Sequence, residues 1–218
     1  MKRKLHRIIA FLLSAALFLP ATATKGQEVA EEVEQTEGIS SAAVKLREEM
    51  RKLWTDQTLW TRNYVVSATA GLEDQSQVLA KLLKNQEDIG NAFKPYYGEA
   101  VGDQLTELLK QHIFIAEKIV EAAKNQQQLD LKTLYTNWYL NADDIANLLS
   151  GLNMNWTLNE LRDLLHTQLQ QVTDVVEARL NKDGNADILA FDQGEENSLV
   201  VADTLSEGII KQFPNLFS

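Results

Sequence analysis

The chain has 218 residues and no cysteine, and its 31 acidic residues outnumber its 21 lysines and arginines, giving a formal net charge of −10. This acidic balance disfavours nucleic acids and anionic lipids as partners, because both bind positively charged surfaces. The absence of cysteine excludes disulfides, iron–sulfur clusters and thiol catalysis, so stability has to come from side-chain packing.

The first 23 residues have the organisation of a secretory signal peptide. Basic residues at 2–4 precede an apolar stretch over 8–19, and a small-residue run at 21–23 follows. A helix needs about 20 apolar residues to span a bilayer, and this stretch is shorter, which favours cleavage after about Ala23 over a retained anchor. We therefore expect a secreted or cell-surface protein that has no stable membrane insertion once the signal is removed. Its 17 remaining basic residues against 31 acidic ones would give a charge of −14.

The rest of the chain divides into a short acidic segment and a long helical one. Residues 24–39 contain few large apolar side chains and predict a flexible acidic linker. Residues 40–214 predict a helical-bundle domain, and residues 215–218 a tail. Thr157 and Glu160 have the spacing of a capping box at the start of one helix. The predicted helices are 41–70, 75–93, 99–125, 130–149, a fifth from Thr157, and a sixth that follows the turn at 181–184 and reaches 213.

A repeat of about 56 residues runs through the helical segment. Residues 85–91 and 141–147 share four identities in seven positions, in the pattern NxxDIxN, and the third helix matches the fifth at the same offset. Chance similarity between amphipathic helices is the alternative, but the shared polar positions favour repetition. We predict an all-α, antiparallel bundle of six helices, arranged as three tandem hairpins with the third copy more diverged.

Four helices carry one polar residue in the middle of an otherwise apolar stripe. These residues are Gln57, His112, Gln168 and Glu195, and we call them the polar seam. Glu195 is flanked by a predicted apolar stripe that includes Ile188 and Leu199, whereas the second and fourth helices show no comparable interruption in their stripes. Because a buried polar group is costly without a partner, the four side chains are predicted to meet.

Two interpretations of the polar seam remain open. One is a hydrogen-bonded network that fixes the register of the helices. The other is a transition-metal site, for which His112 and Glu195 are good ligands while the two glutamines are poor ones. No phosphate-binding glycine loop, nucleophile elbow or zinc-protease helix is present, so the sequence favours a protein without enzymatic activity.

Several segments resemble a family of helical-bundle proteins from Gram-positive bacteria that has no established activity. The resemblance covers about residues 46–214 and is carried by segments 53–57, 60–62, 85–91, 96–98, 138–145, 179–183 and 208–214. It implies a helical fold, and it implies a metal site in relatives that carry histidine at the positions of Gln57, Gln168 and Glu195 as well as His112. This chain keeps only His112 of those four.

These observations predict an exported helical bundle that binds a ligand or has a structural role in the cell envelope or extracellular space. A metal-binding or redox bundle, with ligands changed in this member, is the alternative. The sequence does not identify the envelope or extracellular ligand.

Overall fold

The computed structural model describes residues 40–218, and within this range it contains six α-helices and a short 3-10 turn at Pro214–Leu216. This confirms the predicted all-α helical bundle. The predicted signal peptide and acidic linker lie outside the described residues. The helices are α1 Ser41–Ala70, α2 Gln75–Tyr97, α3 Glu99–Lys124, α4 Gln128–Leu152, α5 Leu158–Leu180 and α6 Gly184–Gln212.

The six helices form a closed ring with pseudo-threefold organisation. Helices α1, α3 and α5 contact one another, and each even-numbered helix packs between two of them: α2 on α1 and α3, α4 on α3 and α5, and α6 on α5 and α1. Each hairpin therefore contributes one inner and one outer helix. This arrangement is what a repeat of about 56 residues produces when every copy buries the same faces.

Antiparallel packing of α6 on α1 closes the ring. Arg47, near the start of α1, pairs with Glu207 near the end of α6, and Arg62, in the second half of α1, pairs with Asp187 in the first turn of α6. The core beneath these helices holds Trp54, Trp138 and Trp156, each about 2% exposed. Among the described helices, each is too short or too polar to span a lipid bilayer.

Two predicted helix ends are wrong, and the reason is tertiary packing. Helix α2 continues through Pro95 to Tyr97, since Tyr96 and Tyr97 pack against Phe213 in an aromatic cluster whose burial offsets the missing proline amide. Helix α4 continues through residues 150 and 151 to Leu152, whose side chain packs on the core. A helix therefore continues through a proline or glycine near its predicted end where the next turn buries apolar side chains.

The other predicted boundaries agree closely with the structure. The Thr157 hydroxyl accepts a hydrogen bond from the amide of Glu160, as expected of the cap of α5. Phe217, in the segment predicted as a tail, stacks on Tyr96 with ring centroids 6.0 Å apart. The described chain thus stays in contact with the bundle close to its last residue.

Candidate ligand site beside Gly194

Three asparagines form the same bridge in the three hairpins. Each donates its side-chain amide to a backbone carbonyl of the preceding inner helix. The pairs are Asn85 to Leu53 at 3.0 Å, Asn141 to Leu108 at 3.1 Å, and Asn197 to Leu164 at 3.2 Å. The asparagines recur every 56 residues, so the repeat is a recurring contact as well as a recurring sequence.

This bridge corrects the prediction that the second and fourth helices lack polar interruptions. Asn85 is 2% exposed, its neighbour Gln86 is fully buried, and Asn141 is 6% exposed. A buried asparagine is tolerated here because its amide reaches a carbonyl across the helix interface. The NxxDIxN pattern is the sequence signal for this contact, but its partner carbonyl carries no sequence signature.

Three members of the polar seam occupy one equivalent position. Gln57, His112 and Gln168 each follow the bridged leucine by four residues, one turn further along α1, α3 and α5. All three are at most 7% exposed. The structure therefore places them at matching levels of the three inner helices.

Glu195 does not share this position. It lies on α6 and is half-buried, while Ile188 and Leu199, which the predicted stripe placed around it, are 55% and 38% exposed. The buried face of α6 instead carries Asp187, Gly194 and Asn197. The predicted buried face of α6 is therefore wrong around Glu195, where glycine, serine and paired polar residues are buried, and it is confirmed further along the helix, where Ala202, Leu205 and Ile209 are fully buried.

His112 is held as a neutral imidazole between α3 and α4. Its Nδ1 lies 2.7 Å from Oδ1 of Asn141, whose amide nitrogen is already donating to Leu108, so we assign the proton to Nδ1. The ring centroids of Trp138 and His112 lie 5.1 Å apart, and the indole nitrogen of Trp138 donates to the His112 carbonyl at 3.0 Å. Burial lowers the pKa of His112 to about 4, and the bond to Asn141 opposes this only in part.

The polar seam does not form one network in the part of the chain that the structure describes. No side-chain hydrogen bond joins any two of Gln57, His112, Gln168 and Glu195, since His112 bonds to Asn141 instead. Nor do residues 40–218 contain a group of three or more His, Asp or Glu side chains placed to hold a metal ion. The transition-metal hypothesis for His112 and Glu195 stays a prediction.

A cavity lies where the third hairpin departs from the repeat. The positions 56 residues apart on α2, α4 and α6 are Leu82, Trp138 and Gly194. Leu82 and Trp138 fill their sites with side chains that are 1% and 2% exposed. Glycine leaves this position of α6 without a side chain, and a cavity of about 20 Å³, enough for one water molecule, opens between α1, α5 and α6.

The Gly194 cavity combines apolar walls with polar side chains, some of which have polar atoms without a partner. Its apolar lining comes from Val65, Val172, Val175, Ala190 and Phe191, and its polar lining from Thr58, Thr61, Arg62, Gln168 and Gln171. Gln168, which corresponds to His112, is 7% exposed and makes no side-chain hydrogen bond with a described residue. Oε1 of Gln171 is buried without a partner, although its amide nitrogen donates to the Gln193 carbonyl.

A buried carboxylate fixes the guanidinium at the edge of this cavity. Asp187 is 1% exposed and accepts two hydrogen bonds from Arg62, at 3.1 and 2.7 Å, and a third from Arg179 at 3.3 Å. The Arg62 guanidinium also lies 5.1 Å from the ring centroid of Phe191. These contacts hold Arg62 in one position, with its side chain 25% exposed.

Sequence reasoning missed Gly194, Arg62 and Asp187 as members of a site. The signal for Gly194 is present in the repeat, because aligning the third copy sets a glycine against leucine and tryptophan. Arg62 and Asp187 give no such signal, since they lie 125 residues apart on helices that meet only when the ring closes.

Comparisons with models of known protein families, with curated proteins and with solved structures find no match to this chain. The resemblance to helical-bundle proteins of Gram-positive bacteria therefore stays a prediction.

Proposed function

We propose that this chain is an exported protein without enzymatic activity that acts in the cell envelope or outside the cell by binding a ligand that places one small polar group in the Gly194 cavity. The observation that carries the proposal is a pair of glutamines in the cavity lining: Gln168 makes no side-chain hydrogen bond with a described residue, and Oε1 of Gln171 is buried without a partner. A folded domain normally pairs such groups or fills such space, so the exceptions are places where a ligand gains binding energy.

The other parts of the bundle support this choice by contrast. At the equivalent level of the second hairpin, Trp138 fills the space and His112 is bonded to Asn141. In the first hairpin Leu82 fills it, although Oε1 of Gln57, the counterpart of Gln168, is also buried without a partner. Only the third copy, among these three, combines an empty position with an unbonded polar side chain.

A ligand screen tests the proposal through the cavity itself. The purified protein and its Gly194→Leu variant, which fills the space as Leu82 does in α2, are compared by thermal shift against a chemically diverse library of small molecules. We expect compounds that raise the Tm of the wild type but not of the variant. Gly151→Leu is the matched control, because Gly151 lies on α4 and a Cβ added there would have no atom within 4 Å of it.

If every stabilising compound acts equally on wild type and Gly194→Leu, the cavity is not the binding site and the proposal fails. Export is tested separately by expressing the tagged full chain in a Gram-positive host and measuring the mass of the protein found outside the cytoplasm. A mature chain that begins after about Ala23 is expected, and a cytoplasmic chain of full length would contradict export.

A further inference from the structure

We propose that the solvent-facing side of α6 is a docking surface for a basic amphipathic helix of another protein. This surface lies on the side of α6 opposite the buried Gly194, so the inference does not depend on the ligand proposed for the Gly194 cavity. We call it the α6 outer face, and it consists of Ile188, Leu189, Asp192, Glu195, Glu196, Leu199 and Val200.

Large aliphatic side chains are concentrated on the α6 outer face. Its two leucines, its isoleucine and its valine are between 38% and 59% exposed. No other described helix has more than two exposed large apolar side chains. Single exposed aliphatic residues are ordinary, but several on one side of one helix indicate a surface that another molecule covers.

The four aliphatic residues form two pairs on the same side of the helix. Ile188 and Leu199 are 11 residues apart, and so are Leu189 and Val200. This separation is about three full turns of an α-helix, or about 16 Å along its axis. Each residue of the first pair is therefore in line with its counterpart in the second, and a partner helix that lies along α6 contacts both pairs.

The turns between the two apolar pairs are acidic. Asp192, Glu195 and Glu196 lie there, and none of them forms an ion pair or a side-chain hydrogen bond with a described residue, unlike the other three acidic residues of α6. Lys211, in the last turn, is the only basic residue of this helix. Unpaired carboxylates beside aliphatic side chains complement a partner that carries lysine or arginine between its own apolar residues.

The same charge disfavours two other occupants of the α6 outer face. In a twofold dimer through this face, the carboxylates of one copy would meet those of the other, and like charges across an interface cost binding energy. Helices that lie on a membrane carry lysine and arginine beside their apolar residues, because the surface of the bilayer is commonly anionic. A basic amphipathic helix is the occupant that complements both the apolar pairs and the carboxylates.

Labelled peptides of defined pattern test the docking surface. The first is an alanine-rich peptide of about 18 residues, with two leucine pairs about three turns apart and lysines between them. A second has the same composition in scrambled order, and a third has glutamate in place of lysine. We expect the first peptide to bind the purified protein saturably in fluorescence anisotropy, and the other two to bind at least about tenfold more weakly.

Two double variants separate the apolar and the charged parts of the surface. Leu189→Gln combined with Val200→Gln removes one residue from each apolar pair, and Glu195→Gln combined with Glu196→Gln removes two carboxylates. Each double variant should weaken binding of the first peptide by about tenfold. Their Tm values should stay close to that of wild type, because these positions lie outside the buried core.

Matched controls on other helices exclude a general loss of apolar surface or of charge. Leu140→Gln changes a leucine that is 57% exposed on α4. Glu48→Gln combined with Glu49→Gln removes two adjacent exposed carboxylates from α1, and so changes the net charge by the same amount as the α6 pair. Both controls should leave the affinity within about twofold of wild type.

Several outcomes would overturn the proposal. They are the absence of saturable binding by the first peptide, equal binding of the scrambled peptide, and equal losses in the control variants. A wild-type dimer in analytical ultracentrifugation that is lost in the Leu189→Gln, Val200→Gln variant would identify a second copy as the occupant instead. Binding of wild type, but not of that variant, to phosphatidylcholine vesicles would identify a lipid surface.

Discussion

Asn141 contacts His112 and its helix through both ends of one side chain. Its Oδ1 lies 2.7 Å from the imidazole Nδ1, and its Nδ2 donates to the Leu108 carbonyl, one turn before the histidine. The same amide bridge recurs in the other two hairpins through Asn85 and Asn197. The asparagine bridges thus link each outer helix to the inner helix that precedes it in the chain.

Removing the Asn141 bridge should destabilise the fold. Asn141→Ala leaves the His112 Nδ1–H and one carbonyl lone pair without their partner, and we expect the free energy of unfolding to fall by about 1–3 kcal/mol. Urea denaturation at pH 7 measures the change. Asn147→Ala, on the exposed face of the same helix, should change stability by less than about 0.5 kcal/mol. Equal effects of the two substitutions would contradict a structural role for the bridge.

His112 should make stability depend on pH below neutrality. Its pKa is about 4 in the folded chain and near 6.5 when unfolded, so the unfolded state binds more protons between these values. Stability therefore falls as pH decreases through this window, and His112 alone should account for about 2 kcal/mol of loss between pH 7 and pH 5.

Urea midpoints at pH 7 and pH 5 test this dependence against His112→Gln, which keeps a polar side chain and removes the titrating group. The variant should lose less stability than wild type between the two pH values. The half-buried His166 supplies a control, because His166→Gln should retain the His112 contribution. An identical pH dependence in wild type and His112→Gln would show that the buried imidazole is not responsible.

Alanine substitutions at two glycines on outer helices should change the stability of the fold in opposite directions. At Gly194 a Cβ would lie 3.4 Å from Cγ2 of Thr58, an ordinary contact, so Gly194→Ala should stabilise the helix by about 0.5–1 kcal/mol. At Gly90 a Cβ would lie 1.9 Å from the Thr106 hydroxyl and 2.6 Å from the Gly102 carbonyl oxygen. Gly90→Ala should cost about 1–3 kcal/mol, because backbone has to move. In thermal unfolding, the Tm of Gly194→Ala should rise and the Tm of Gly90→Ala should fall.

Two of the ion pairs between α1 and α6 should differ in their contribution to stability. Asp187 is buried between two arginines, whereas Asp203 and Arg51 are 39% and 53% exposed in their side chains. We expect Asp187→Ala to cost about 2–3 kcal/mol, since two partly buried guanidinium groups lose their partner. Asp203→Ala should cost less than about 1 kcal/mol. Chemical denaturation at low and high salt compares them, and only the Asp203 pair should weaken strongly with salt.

Metal titration tests the metal-site hypothesis for His112 and Glu195. The described residues place His112 beside Asn141 and Trp138 and bring no group of three candidate ligands together. We therefore expect that adding zinc, manganese or iron changes the Tm of neither the wild-type protein nor His112→Ala. A stoichiometric metal that stabilises wild type and is lost in both His112→Ala and Glu195→Gln would establish the metal site instead.

Much of the fold follows from local signals in the sequence. The apolar periodicity at 3.6 residues and the Thr157 cap indicate six helices, and the recurrence of Asn85 as Asn141 indicates their pairing into hairpins. These features are patterns that recur along the chain, which is why a single sequence carries them. The ends of α2 and α4 do not follow, because Tyr97 and Leu152 extend their helices through contacts with distant residues.

Only part of the candidate site can be predicted from patterns in the sequence. The sequence by itself determined the all-α class, the repeat, and the presence of a polar residue at one level of each inner helix, since each of these is a periodic pattern. Only the tertiary structure decided that His112 bonds to Asn141 while Gln168 lines a cavity. The reason is that the outer helix packed against each polar seam residue determines whether that residue finds a hydrogen-bond partner. The closure of α6 onto α1 brings Gly194, Arg62 and Asp187 together, and no local pattern specifies a contact between the first and last helices.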